Sequence, residues 1–440
     1  MMKIFTRYIY HPITQAVRGQ RILKYLRELR SNERLPREYL DNIRRSRLLQ
    51  TLRLAAKTNF YRERFQKAES DSDYLDIFHN IPYTTKTDVQ SYILDLKPDD
   101  FEVKILYGRT SGSTGISVKL QYDSEWDQRS QAAQLRGKSW WHVSIGEKEL
   151  VIWGRPLDKS GDYWKNAVKL RLMNRMQINP FDLTDETLDK LAPKIIKFKP
   201  RYIYGYSTGI GRLAEFFLDK YGVSQKIQPK AVITTAESLY EPHREAIRKA
   251  FGVEAGSEYG SAEAGIIAYS CPAGNLHINY ENVHLQIDNP DDAGFGGVIV
   301  TPLLNRAMVL LKYKLGDLGR LVEGYCACGR TLPIFEIAHA RETEIVEIDG
   351  KAITSSLFFG YVRRSRLPED TRQFRVIQKR ERLFEVQIVR KGEPSKEVEQ
   401  GITEIFRQYL SENIQVEFTY HEALTPDKSG KLRYFVKEDF

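Results

Sequence analysis

Cysteine is scarce in this chain, three in 440 residues. Three thiols cannot build a disulfide framework, and Cys271, Cys326 and Cys328 fall close together, so they read as metal ligands or as reduced thiols. Long apolar runs are absent as well. Nothing approaches the ~18 residues of a membrane span, and Met1 to Gln20 lacks the long apolar core of a signal peptide, which makes the cytoplasm the expected compartment. The Gly-Lys-Ser/Thr of a P-loop does not follow the Gly/Ser-rich run at 110–115, which argues against a GTPase or kinase-type site. Basic residues do not alternate with aromatics as they do along a nucleic-acid groove, so nucleic acid is not an expected partner.

What is present begins with length and charge. A chain of 440 residues exceeds what one core usually supports, and two or more domains are expected. The net charge is +9, yet Met1 to Lys57 alone carries 14 Lys and Arg against 4 Asp and Glu. The basic character therefore belongs to the N-terminal segment. Residues 1–65 read as helices, with Ile22, Leu23, Tyr25, Leu26 and Leu29 recurring at helical spacing and Leu48, Leu49, Leu52, Leu54 and Ala55 supplying a second apolar face. Two readings of the charge stay open: solvated helix faces, or a peripheral surface that meets anionic lipid at the inner membrane or a polyanionic glycan.

The run Thr110-Ser111-Gly112-Ser113-Thr114-Gly115, followed by alternating Val118, Leu120 and Tyr122, reads as a loop entering a strand. Hydroxyls and bare backbone N–H groups at this density can wrap phosphate oxygens, because glycine lets the main chain approach closely. A helix is expected from Ser124, ending near Gly137. Short apolar runs at Leu150–Gly154, Tyr202–Tyr206 and Ala231–Thr235 alternate with helical stretches at Thr184–Lys197 and Thr208–Lys220, the pattern of an α/β domain with largely parallel sheets. Ligands sit beyond the carboxyl ends of such strands, which gathers Tyr206-Ser207, Ala236-Glu237-Ser238 and Tyr259 to Glu263 around one crevice. Trp140-Trp141-His142 and Tyr204-Gly205-Tyr206 are either an aromatic wall for a substrate or core packing. The strands between about 280 and 335 predict a smaller antiparallel or barrel-like subdomain. After a hinge near Arg341–Glu344, residues 345–440 predict a small α+β domain with the order strand, strand, helix, strand.

Three later stretches follow the Gly/Ser run in order: Glu258-Tyr-Gly-Ser-Ala-Glu263, Tyr313-Lys-Leu-Gly-Asp317-Leu-Gly319 and Pro426-Asp-Lys-Ser-Gly-Lys431-Leu-Arg433. Together they resemble the ordered motifs of adenylate-forming enzymes, and most of all the branch of phenylacetate-CoA ligases and the CapK-like proteins of capsule biosynthesis. The resemblance implies a large adenylation domain over 1–340 and a mobile C-terminal lid. It implies ATP and Mg²⁺ as cofactors, a small carboxylic acid as substrate, and coenzyme A, or an amine or hydroxyl, as acceptor of the acyl group. By the same resemblance Thr110, Ser111, Gly112, Ser113, Thr114 and Gly115 hold the β and γ phosphates. Ala236, Glu237, Ser238, Tyr259, Gly260 and Ser261 line the adenine pocket with Tyr259 stacking on the base. Glu263 helps to bind magnesium, Asp317 accepts from both ribose hydroxyls, and Lys431 bridges the carboxylate and the α-phosphate. A carboxylate suits the ribose because, ionised, it only accepts.

Two positions depart from the family pattern. Ser117 stands where proline is usual in the loop, and the Gly-Arg pair of the hinge appears as Ala340-Arg341. A separate expectation comes from the residues themselves. Cys271, His277, Cys326 and Cys328 make a closed tetrahedral set for a structural zinc ion, the alternative being three reduced thiols.

Overall fold

A computed structural model describes residues 2–102, 104–109, 118–153, 163–179, 183–223, 226–237, 239, 241–341, 345–348, 351–354, 371–390, 392–425 and 435–438. The chain divides into two compact units: Met1–Ile287 with Ile299–Leu315 and Leu321–Glu336, and Asp288–Val298 with Gly316–Arg320 and Ile337–Phe440.

An 11-stranded sheet has the order Val283–Asp288, Gly296–Pro302, Tyr313–Val322, Ile334–Arg341, Leu276–Ile278, Gly265–Ser270, Ala255–Ser261, Ala231–Thr235, Tyr202–Tyr206, Glu149–Ile152 and Arg175–Ile178. The last five of these run parallel to one another. Their central members are continuous apolar runs because both faces are covered: every residue of Glu149–Ile152 and of Ala231–Thr235 is buried. Helices Asp185–Phe198, Ser207–Tyr221 and Glu241–Phe251 alternate with these strands, as the sequence pattern predicts. The Thr184 hydroxyl caps the first of them by accepting from the Thr187 N–H. Leu188, Ile195, Ile203, Leu213, Phe217, Val232 and Phe251 share one core cluster. From Ala255–Ser261 onward the pairing turns antiparallel through Gly265–Ser270 and Leu276–Ile278. Between 280 and 335 the strands Val283–Asp288, Gly296–Pro302 and Tyr313–Val322 are neighbours of one another in the sheet order.

The helix expected to end at Gly137 runs on from Ser124 to Trp140. Gly137 is interior, and its role is close approach, since a Cβ there would lie 2.2 Å from Cγ of Tyr269. Ile22, Tyr25, Leu26 and Leu29 of the helix Ile22–Asn32 pack on Ala132 and Ala133 of this helix. Between these layers Arg136 is fully buried and held by Glu281 at 2.8 and 3.2 Å, Asn279 at 2.7 Å and the Leu29 carbonyl at 3.0 Å. Removing one of these acceptors would strand a buried guanidinium.

The second unit contains the strands Thr371–Arg380, Leu383–Arg390, Gln415–Tyr420 and Phe435–Lys437 and the helix Lys396–Tyr409. The first two strands form an antiparallel hairpin, and the other two add in parallel on either side. Phe406 of the helix meets Phe384 of the hairpin edge to face at 5.2 Å, and Ile402 is buried beside it. The predicted order of strand, strand, helix, strand is observed. No described helix is long and apolar enough to cross a membrane.

Candidate functional site

The Gly/Ser loop residues Thr110, Ser111, Gly112, Ser113, Thr114 and Gly115 lie outside the described residues, as do Ser117, Ser238, Lys431 and the hinge residues Glu342–Glu344. The two strands that lead into and out of the loop are described. Ile105–Arg109 pairs antiparallel with Lys119–Asp123, from Ile105 opposite Asp123 to Arg109 opposite Lys119. The second strand is tied down at its far end. Asn305 donates to the Gln121 carbonyl at 3.1 Å, the Arg306 N–H donates to the buried Asp123 at 2.8 Å, and Asp123 also caps the helix that follows. The stem of the hairpin is thereby fixed to the body.

Glu263 sits in the tight turn joining Ala255–Ser261 to Gly265–Ser270. The Ser261 hydroxyl accepts from the Ala264 N–H at 3.0 Å, and Gly265 leaves the turn at φ +70°, where glycine is favoured. Glu263 is buried and its Oε1 accepts from the Tyr313 hydroxyl at 3.0 Å. Tyr122, on the strand leaving the Gly/Ser loop, has its phenol pushed up by burial and by the charge of Glu263. Glu263, Tyr313 and the base of the loop hairpin are thus brought together. Tyr313 is fastened from behind, because Thr84 donates its N–H to the Lys312 carbonyl at 3.1 Å and accepts from the Lys314 N–H at 3.0 Å. The Tyr61 hydroxyl is within 2.7 Å of the Thr84 hydroxyl and accepts from the Leu311 N–H at 3.1 Å. Asp317 follows on the strand Tyr313–Val322 and is half-buried.

Ala236 and Glu237 end the strand Ala231–Thr235. Ala236 adopts φ +66°, unusual for a residue with a Cβ. The Glu237 carboxylate accepts from the N–H and hydroxyl of Thr208 at 3.0 and 2.7 Å, at the N-terminus of the helix Ser207–Tyr221. It pins the turn to that helix. The Tyr259 ring stacks on Phe335 at 5.4 Å, and Gly260 allows the backbone of Gly265 to approach where a Cβ would lie 2.3 Å from its carbonyl oxygen.

The two aromatic stretches separate. Trp140 and Trp141 are core, their indole N–H groups donating to Glu33 and to the Ser270 carbonyl, both at 2.7 Å. Tyr204 and Tyr206 instead meet Trp153 at the ends of the parallel strands, with centroids 6.1 and 4.7 Å apart. Beneath them the buried Glu258 accepts from Tyr204 at 2.6 Å, Gln134 at 3.0 Å and Thr235 at 3.3 Å. Burial raises its pKa against those bonds.

Cys271, His277, Cys326 and Cys328 place their ligand atoms within 4.8 Å of one another. The Cys271 and Cys326 sulfurs are 3.6 Å apart, and Cys328 Sγ is 3.3 Å from His277 Nε2. A tetrahedral zinc with Zn–S near ~2.3 Å has edges of about 3.5 to 3.8 Å, so both separations are close to those of a ligated set. His277 Nδ1 faces the Leu332 carbonyl at 3.1 Å, which assigns the proton to Nδ1 and leaves Nε2 as the lone pair. Burial drives the His277 pKa down to about 4 and pushes the Cys271 thiol up to about 12. Cys326 goes the other way: burial would raise its thiol, but hydrogen bonds from Asn275 and the Cys328 N–H outweigh that and lower it.

Residues 345–438 match the family model for the CapK C-terminal domain. Over 274 residues the chain is 27% identical to protein CapK of Staphylococcus aureus, a match that covers 59% of this chain and 58% of CapK. The match thus spans less than two thirds of its curated relative. A 2-hydroxyisobutyryl-CoA ligase, in the postadenylation state in complex with R3-HIB-AMP, is similar with a TM-score of 0.70 and 16% identity over 92% of this chain and 91% of that one. The anthranilate CoA ligase AuaEII in complex with anthranoyl-AMP gives a TM-score of 0.52 and 15% identity over 76% and 67%. The chain shares the fold of these ligases, and its residues 345–438 are similar to the CapK C-terminal domain. The contacts of Tyr313, Thr84 and Tyr61 behind Glu263, and of Gln134 beside Glu258, escape sequence reasoning. Their partners lie far away in sequence, and no spacing signals them. Tyr313 had one available signal, its place at the head of the Tyr313–Gly319 motif.

Proposed function

We propose that the chain is an ATP-dependent ligase that activates a carboxylic acid as its acyl-adenylate, with release of pyrophosphate, and then passes the acyl group to coenzyme A. The observation that carries this reading is the placement of Glu263 in a capped turn, held by Tyr313 and adjoining the stem of the Gly/Ser hairpin, on the adenylate-forming fold.

In the first step a carboxylate oxygen of the acid attacks the α-phosphorus of ATP, and the bond from that phosphorus to the bridging oxygen breaks with its electrons leaving on pyrophosphate. An ionised carboxylate needs no base, so the residues work by alignment and charge neutralisation. By the family resemblance, Thr110, Ser111, Ser113 and Thr114 with their amides would hold the β and γ phosphates, Asp317 would accept from the ribose hydroxyls, and Lys431 would neutralise charge on the carboxylate and α-phosphate. Magnesium, when bound with ATP, supplies further neutralisation, and Glu263 is the residue that would hold it. In the second step the acceptor attacks the acyl carbonyl and AMP leaves. Presence of Glu263, Asp317 and Lys431 together favours catalysis over a scaffold role, since a fold without chemistry has no physical reason to keep all three.

The match to CapK favours a second reading of the acceptor: an amine or hydroxyl in capsular or surface polysaccharide synthesis. The same proposal includes a structural zinc at Cys271, His277, Cys326 and Cys328, a set with no open position, and a cytoplasmic site of action. The test is pyrophosphate exchange against a panel of aryl, fatty and sugar acids, repeated with coenzyme A or amines. Exchange with one class of acid is expected. No exchange with any acid, in protein that binds ATP, would overturn the adenylation reading.

A further inference from the structure

The helical stretch Met2–Val17 is turned inside out relative to an ordinary surface helix. Its buried side chains are polar, Thr6 and Gln15, and its exposed ones are apolar: Ile4 is 62% exposed, Tyr8 63%, Ile9 46%, Ile13 56% and Val17 82%. The inner face is fastened by polar bonds. Thr6 donates to the Leu172 carbonyl at 2.8 Å, Lys3 pairs with Glu147 at 2.9 Å, and Gln15 accepts from the Leu23 N–H at 3.2 Å. Burial for its own sake cannot explain the apolar residues, because the fold has spent this helix's inner face on hydrogen bonds. The winding keeps them together. Ile9, Ile13 and Val17 recur every four residues, Ile4 precedes Ile9 by five, and the change of interval falls at Thr6–Tyr10, which is wound as a π-helix with one residue more per turn.

Charge borders this face. Arg7 and Arg18 are exposed, the Arg7 guanidinium lies 5.2 Å over the Tyr8 ring, and exposed Arg21, Lys24, Arg27 and Arg30 follow. Apolar side chains backed by Arg and Lys, on about 24 Å of helix, suit a segment lying in the plane of a membrane interface and are too short to span one. A soluble partner or a second copy would have to offer an apolar and acidic face in one patch. A bilayer rich in anionic lipid offers both along its whole surface.

We infer that Met2–Val17 is an in-plane docking helix for an anionic lipid bilayer, inserting Ile4, Ile9, Ile13 and Val17 while Arg7 and Arg18 meet the head groups. The test is co-sedimentation of the full chain with vesicles of phosphatidylcholine alone or mixed with phosphatidylglycerol. Binding at least ~10-fold stronger to the mixed vesicles is expected, falling with salt. The Ile9→Glu/Ile13→Glu double variant should lose that binding and keep both its pyrophosphate exchange and its thermal midpoint, because both side chains already face water. Three results would overturn the inference: equal recovery on neutral and anionic vesicles; anionic binding that the double variant retains, which would mean charge alone; or a dimer in sedimentation equilibrium that the double variant converts to monomer without any change in vesicle binding.

Discussion

The Tyr313 hydroxyl donates to the Glu263 carboxylate at 3.0 Å, joining two motifs that lie 50 residues apart. If Glu263 holds magnesium, Tyr313 is the partner that orients it, and losing such a partner costs roughly 10- to 100-fold in metal affinity or activity. Tyr313→Phe should therefore raise the magnesium needed for half-maximal pyrophosphate exchange by about that factor. Thermal unfolding should change little in the same protein. A magnesium titration that superimposes on the wild type would detach Glu263 from the metal.

Lys431 separates the two half-reactions. An ammonium on a long stem neutralises charge on the carboxylate and the α-phosphate as they approach, and that charge is reduced once the adenylate exists. Lys431→Ala is expected to slow adenylate formation by ~10² to 10³ and to leave transfer from a preformed acyl-adenylate almost intact. Single-turnover assays from acid plus ATP, and from the chemically made adenylate plus acceptor, measure the two steps. An equal loss in both would assign Lys431 another role.

The cysteine cluster also anchors the basic helices. Beside Cys328, the Thr331 N–H donates to the Glu33 carbonyl at 3.1 Å, and Arg37 donates to the Thr331 carbonyl at 2.8 Å. Purified protein should hold about one zinc per chain, and Cys326→Ser should lower the urea midpoint while pyrophosphate exchange stays within about two-fold. Elemental analysis of protein prepared without chelators decides it. Zinc-free protein of full stability would leave three reduced thiols.

Acid should destabilise the fold in two windows. Burial, and then the charge of Arg44, depresses His284 from 6.5 to about 3. Below pH 6.5 the unfolded chain therefore takes up a proton that the folded chain refuses, and stability falls toward pH 3 with a slope of up to about 1.4 kcal/mol per pH unit. Burial would raise Glu149, but Lys138 at 2.9 Å and Arg175 at 2.8 Å outweigh it and hold the carboxyl at about 2 against an ordinary 4.5. Its contribution is complete above pH 4.5 and is lost between pH 4.5 and 2. His284→Gln keeps an acceptor for Arg44 and should flatten the upper window. Urea unfolding of both proteins at pH 7, 6 and 5 tests this, and parallel losses would exclude His284 as the source.

The sequence by itself determined the parallel strands and their helices. Leu150–Ile152, Tyr202–Tyr206 and Ala231–Thr235 are apolar runs because both faces of a parallel sheet are covered, so local pattern and global position agree. It also determined the order of the motifs and the candidate zinc ligands, whose chemistry is carried by residue type. The tertiary structure decided what depends on partners distant in the chain. Gly137 reads as a helix stop until Tyr269 is seen against it. In Met2–Val17, Thr6 and Gln15 took the inner side because Leu172 and Leu23 offered backbone groups to bond there. Periodicity records that a helix has two faces; which one turns inward is settled by the groups waiting on the other side.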